Sequence, residues 1–146
     1  MNQPSIVGIH HLKFPVSDLE HSVAFYESAF GARRKAELDH RDASGELFGV
    51  ILEIPQLGTF LELRKDSRAA AAQRGFDPVS LSVLDQSALR SWGEHFTKLG
   101  FEHSPILVGF LGWLLVIEDP DGRRIRFYTL ETHTQDIPYT KQSPWL

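Results

Sequence analysis

The sequence predicts an α+β fold made of two βαβββ modules in tandem. Three observations carry that prediction. A period-two apolar segment followed by a capped amphipathic helix occurs twice, and further strand-like segments follow each helix. The halves also share spaced residues: Val16-x-Asp18 matches Val83-x-Asp85, and Leu61-Glu62-Leu63 matches Ile125-Arg126-Phe127. A ferredoxin-like α+β domain with extra strands is the alternative.

The elements follow in order. From His10 to Val16, Leu12, Phe14 and Val16 alternate with His11, Lys13 and Pro15, the pattern of a half-buried strand. Ser17 and Glu20 have capping-box spacing, although Asp18 can serve as the cap instead. Val23, Tyr26 and Phe30 give the helix an apolar face, and Gly31 stops it. Arg33–Leu38 reads as a strand, Asp42-Ala43-Ser44-Gly45 as a turn, and Phe48–Ile54 and Thr59–Arg64 as strands. A polar, Ala-rich connector over 67–76 closes a first module of about 8–66. In the second module, about 77–131, Val79, Leu81 and Val83 alternate with Ser80 and Ser82. Asp85 caps a helix carrying Leu89, Trp92, Phe96 and Leu99, and Gly100 ends it. His103–Val108 and Gly112–Ile117 read as strands, Asp119-Pro120-Asp121-Gly122 as a turn, and Ile125, Phe127 and Leu130 as the inward face of the last strand. The tail, 132–146, has no periodicity; Tyr139 and Trp145 are its natural anchors, in cis or on a second subunit.

Composition removes several functions. The 146 residues suit one domain, and the 42% hydrophobic fraction supplies a core. A net charge of −4 without a basic stripe argues against nucleic acid. The absence of cysteine excludes disulfides, thiol catalysis and Cys-based zinc sites. No apolar run reaches membrane-spanning length and no secretory leader is visible, so the expected location is cytoplasmic. Serine-hydrolase elbows and phosphate-binding P-loops have no matching pattern.

Two segments resemble a known superfamily. GIHHLKFPVSDLEHSVAFYESAFG is similar to the opening of a vicinal-oxygen-chelate (VOC) module, and EDPDGRRIRFYTLE to its closing hairpin. The resemblance is to the glyoxalase, bleomycin resistance protein and extradiol dioxygenase group and covers about 8 to 131. It implies a single VOC domain of two curved mixed sheets around a cleft, a small-molecule ligand or substrate, and a homodimer. In metal-using relatives, His, Gln or Glu from the first and last strands of each module hold one divalent ion. The corresponding positions here are His11, Glu62, Pro78 and Arg126.

Pro78 cannot ligate a metal, and Arg126 carries a permanent positive charge. The expectation is therefore a protein without the usual metal, in which Arg126 sits near Glu62 and either fills the cleft floor structurally or clamps an anion. His11 is the candidate base and Glu62 its partner. Alternation places His11, Lys13, Glu62, Arg64, Ser80, Ser82, Arg126 and Tyr128 on the cleft side, and Phe110 and Trp113 can stack on a flat ligand. The function expected is sequestration of a small molecule or metal-free proton transfer. The first alternative is a metal-dependent lyase, isomerase or dioxygenase using Zn, Ni, Fe or Mn on His11 and Glu62. The second is a non-catalytic dimeric scaffold.

Overall fold

Asp18, not Ser17, starts the first helix: its side chain accepts the His21 N–H at 2.9 Å, satisfying one amide that a helix start leaves open. The computed structural model describes residues 2–134 and 137–146. The chain divides into two compact units, Met1–Ala70 and Ala71–Leu146.

In the first unit, β1 (His11–Val16) leads into α1 (Leu19–Phe30). Gly31 ends that helix at φ 65°, a left-handed conformation that glycine adopts without steric cost. β2 (Arg33–Arg34), a single 3₁₀ turn (Ala36–Leu38), β3 (His40–Arg41), β4 (Leu47–Glu53) and β5 (Phe60–Lys65) follow. The sheet order is β1-β5-β4-β2, with β3 also on β4; β1 and β5 run parallel and the other pairs antiparallel. The strand expected over Arg33–Leu38 is only two residues long. No apolar alternation there gives a strand a face to bury, so the chain turns away after Arg34.

Val50, Leu52, Leu61 and Leu63 are wholly buried on the side of the sheet that meets α1. Full burial of such a side chain contributes about 1.5–3 kcal/mol. That burial locks the register, and the pleat then puts Lys13, Glu62 and Arg64 on the opposite, helix-free face.

The second unit repeats the plan. After α2 (Ser67–Ala72), which bridges the connector, come β6 (Val79–Val83), α3 (Gln86–Lys98), β7 (Leu107–Val108), β8 (Trp113–Glu118) and β9 (Arg124–Thr129). Asp85 caps α3 by accepting the Ala88 N–H at 2.9 Å. The sheet order is β6-β9-β8-β7, with β6 and β9 parallel. Leu89, Phe96, Leu115, Ile117, Ile125 and Phe127 form the core, and the Trp92 ring lies 4.8 Å from Phe127.

Two expectations for this unit change. The strand predicted over His103–Val108 is reduced to Leu107–Val108 plus a lone bridge from His103 to Ile117, because Pro105 has no N–H for a ladder. Leu130 is 66% exposed, and Thr129 takes the inward position that period two assigns after Ile125 and Phe127. Among the described residues, no helix is long and apolar enough to cross a membrane.

The Asp119–Gly122 turn is fixed from inside. Asp119 Oδ1 accepts the Asp121 and Arg123 N–H groups at 3.0 and 3.1 Å. Its Oδ2 binds the wholly buried Arg123 guanidinium at 2.5 Å, and Arg123 Nε donates to Gln73 Oε1 at 2.8 Å.

Candidate functional site

Each sheet presents polar side chains on its helix-free face. In the first unit these converge on Glu62, a carboxylate only 3% exposed in the middle of β5. The parallel register sets Lys13 beside it, with Lys13 Nζ 3.2 Å from Glu62 Oε2. Arg64, two residues along the same face, donates from Nη2 to both oxygens at 3.3 and 3.4 Å. The third partner comes from β3: His40 Nε2 is 2.8 Å from Glu62 Oε1. Burial opposes ionisation of Glu62, but the hydrogen bonds and charges of Lys13 and Arg64 outweigh it and hold the carboxyl below the ordinary carboxylate range. Phe48 flanks the group; the Arg64 guanidinium lies 5.0 Å above its ring and the His40 ring 5.9 Å away.

His40 is not among the side chains expected here from the sequence. Its place depends on Gly49, the residue opposite it on β4: a Cβ on Gly49 would stand 3.1 Å from His40 Cβ and Cδ2. A bare backbone there lets the imidazole lie flat against the strand and reach Glu62. If Nε2 donates its hydrogen to Glu62, Nδ1 is left as an acceptor. His11 is elsewhere. It is exposed at the start of β1, opposite Phe60, with its Nδ1 3.0 Å from that of His10. The imidazole that meets Glu62 is therefore His40, where the pairing expected from sequence is with His11.

In the second unit, Arg126 and Tyr128 lie on the helix-free face of β9, in register with Ser80 and Ser82 of β6 and with Val116 and Leu114 of β8. Arg126 Nε is 3.0 Å from Asp77 Oδ2, close enough to pair by charge though not aligned for a hydrogen bond. Arg126 thus takes its counter-charge from its own module. Tyr128 Oη accepts the N–H groups of Leu111 and Gly112 at 3.0 and 3.2 Å, which ties the Gly109–Gly112 loop down over the ring. Gly109 is required for that closure, since a Cβ there would collide with the Tyr128 hydroxyl. Trp113 has the other parity of β8. It shares the helix-side face with Phe127 and meets His133 edge-on at 5.3 Å, so it is not available to stack on a ligand beside Arg126.

The tail completes this face in cis. Thr140 donates its N–H to Val108 O at 2.8 Å and accepts the Val108 N–H on Oγ1 at 3.0 Å. Trp145 packs on the cluster of Leu107, Leu114 and Val116, and the Tyr139 ring lies 4.5 Å from that of Phe110, tilted by 35°. Between sheet and tail lies a cavity of about 480 Å³, lined by Leu114, Arg126 and Tyr128 below, Phe110 at the side, and Tyr139, Lys141 and Leu146 from the tail. Ser80 and Ser82 are exposed beside it and do not line it.

The donor set fits a divalent ion poorly. Pro78 stands exposed before β6 with no donor atom, Arg126 is cationic, and both oxygens of Glu62 are engaged by nitrogen groups. Among the described residues, no group of three or more His, Asp or Glu side chains is arranged to hold a metal.

Comparison with known proteins agrees with the architecture. Residues 8–127 match the Glyoxalase/Bleomycin resistance protein/Dioxygenase superfamily. The chain is 26% identical over 151 residues to metallothiol transferase FosB of Bacillus licheniformis, covering 100% of this chain and 90% of that protein. Among solved structures it resembles the fosfomycin resistance protein FosX of Listeria monocytogenes, in a complex with Mn(II) and 1S,2S-dihydroxypropylphosphonic acid. That likeness has a TM-score of 0.66 and 18% identity over 85% of this chain and 93% of the other. It also resembles TnmS3, an antibiotic binding protein from Streptomyces sp. CB03234, with a TM-score of 0.68 and 19% identity over 87% and 98%. At these identities the solved structures establish the fold alone.

Proposed function

Because the chain belongs to the Glyoxalase/Bleomycin resistance protein/Dioxygenase superfamily, we propose that it binds a small molecule on the helix-free faces of its sheets, without a divalent ion. One observation supports this above the rest: side chains already balance the charge at the positions that resemble the family's ligand set. Glu62 is held by Lys13, His40 and Arg64. Arg126 is paired with Asp77, one residue before Pro78. A cation approaching Glu62 would have to displace two like charges. Structural and catalytic zinc sites ordinarily use about three or four protein donors, and of the four positions that resemble the family's ligand set only His11 and Glu62 carry a donor of that kind.

The alternative is a metal-dependent lyase, isomerase or dioxygenase with His11 and Glu62 as ligands. The relatives keep it open, since one is named a metallothiol transferase and another was crystallised with Mn(II). Elemental analysis of protein purified without chelator decides between them. The expected content of Zn, Ni, Fe and Mn is far below one ion per chain. One ion per chain that disappears in His11→Ala overturns the proposal. Thermal-shift screening of small metabolites tests the binding itself, because a ligand specific for the folded state raises Tm. The shift should survive EDTA.

A further inference from the structure

The cavity over β9 is built from two halves of different origin. Its floor belongs to the sheet, while its outer wall is the segment carrying Tyr139 and Lys141. That wall is held in place: Thr140, between the two, is bonded twice to Val108 of the edge strand β7, and Arg124 Nη2 donates to Pro144 O at 2.6 Å. The wall is therefore part of the site rather than a loose end lying over it.

The lining has one chemical character. Arg126 faces Asp77 with its Nε, 3.0 Å from Oδ2, and no hydrogen bond from its terminal nitrogens is seen among the described residues. Tyr128 Oη accepts two backbone N–H groups, so its own hydrogen is left to donate. Lys141 brings a second cation, with Nζ 5.4 Å from the centre of the Tyr139 ring. Asp77 stands beside Arg126 and neutralises it in part. The rest of the lining that matters is aromatic: Phe110 and Tyr139, 76% and 40% exposed, with their rings 4.5 Å apart and tilted by 35°. The volume, about 480 Å³, suits a ligand of one or two fused rings.

We infer that this cavity is a binding site for a planar aromatic anion, with Arg126 and Tyr128 receiving the anionic group, and that Tyr139 and Lys141 of the tail set its specificity. The inference deepens the small-molecule reading above and rests on it. A guanidinium and an ammonium hold a carboxylate by ion-paired, bidentate hydrogen bonds, which a neutral alcohol matches only with a single weaker bond and an ammonium cannot make. The aromatic pair holds the ring by stacking, whatever its charge.

Isothermal titration with three probes of one shape tests this: 1-naphthoate, 1-naphthalenemethanol and 1-naphthylmethylammonium. In the intact chain, 1-naphthoate should bind about tenfold or more tighter than the alcohol, and the ammonium should not bind. Lys141→Ala and Arg126→Gln should each weaken naphthoate about fivefold or more while leaving the alcohol within about twofold. Tyr139→Ala should weaken both. Lys141 is exposed, so its replacement leaves the core intact and keeps the test decisive if Arg126→Gln fails to fold. Naphthoate that does not bind, equal affinity for acid and alcohol, or a Lys141→Ala protein that holds naphthoate unchanged each overturns the inference. The outcome is separable from the metal question: a stoichiometric metal would sink the metal-free reading, while the Lys141→Ala comparison would still judge the cavity.

Discussion

Replacing Glu62 with glutamine exchanges one oxygen for an amide nitrogen and isolates what the buried carboxylate does. In the native protein Glu62 is 3% exposed and meets three basic side chains. Removing one partner of a fully buried ion pair costs about 3–5 kcal/mol, because the remaining charge is stranded. Here the partners are not stranded. The side chains of Lys13, Arg64 and His40 are 50%, 36% and 34% exposed and can turn into water. Each exposed pair is worth only about 0.2–1 kcal/mol. Three such contacts on one buried acceptor, less the bonds that the substituted amide's carbonyl retains, give a loss of about 1–2 kcal/mol at neutral pH. In a chain of this size that lowers Tm by about 3–6 °C.

The same substitution carries a pH signature with a fixed sign. The folded-state pKa of Glu62 is depressed below the ordinary 4.5. Its stabilisation is therefore complete above the unfolded-state pKa and is lost as pH falls through the folded one. The gap between wild type and Glu62→Gln should be full at about pH 7 and should close progressively in acid, below the ordinary carboxylate range. Urea denaturation of both proteins across that range, with ΔG extrapolated at each pH, measures it. A gap of the same size in acid as at neutral pH would mean that shape, not charge, is what Glu62 contributes. A Glu62→Gln protein as stable as wild type at neutral pH would mean that the cluster is not paired as described.

Two further substitutions probe how the faces are built. Gly49→Ala should destabilise the wild type by about 1 kcal/mol, because the new Cβ presses on a His40 already tied to Glu62. In a His40→Ala background the same change should be neutral or stabilising, since the contact is gone and glycine's entropic cost in a strand is relieved; equal costs in both backgrounds would refute this account. Asp119→Asn should cost about 1–3 kcal/mol by chemical denaturation, because it takes a charged acceptor away from the buried Arg123 guanidinium, and no measurable loss would show that the pair is dispensable.

How much of this was legible in the sequence depended on whether the signal was local. Leu61 and Leu63 declare β5 by alternation, and that alone puts Glu62 and Arg64 on the other face. Asp18, Asp85 and Gly31 mark helix ends by chemistry confined to a few residues. The same reasoning put Arg126 and Tyr128 on one face and anticipated Tyr139 and Trp145 as anchors of the tail. Where locality failed, so did the reading. His40 sits in a two-residue strand with no period of its own, and its role comes from lying opposite Gly49, a pairing fixed only when β3 and β4 meet. The grouping of Trp113 with Phe110 followed nearness in sequence, whereas the pleat sends the Trp113 ring to the far side of the sheet.

The exchange of His11 for His40 beside Glu62 has a physical cause. Carrying a ligand set over from relatives assumes that each position keeps its partners even when its chemistry changes. Here a change of chemistry entails a change of partners. If no metal neutralises it, as proposed above, the Glu62 carboxylate must be neutralised by nitrogen groups or raise its pKa. The nearest available are those the register sets alongside it: Lys13 across the parallel pair, Arg64 on the same strand, and His40 over a glycine. Likewise, a guanidinium at position 126 must find an acceptor, and Asp77 supplies one within its own module. Substitution of the ligand positions and recruitment of these basic and acidic neighbours are thus two sides of one electrostatic requirement. On the metal-free reading proposed above, Lys13, His40 and Asp77 are the neighbours that balance charge at these two positions in place of an ion.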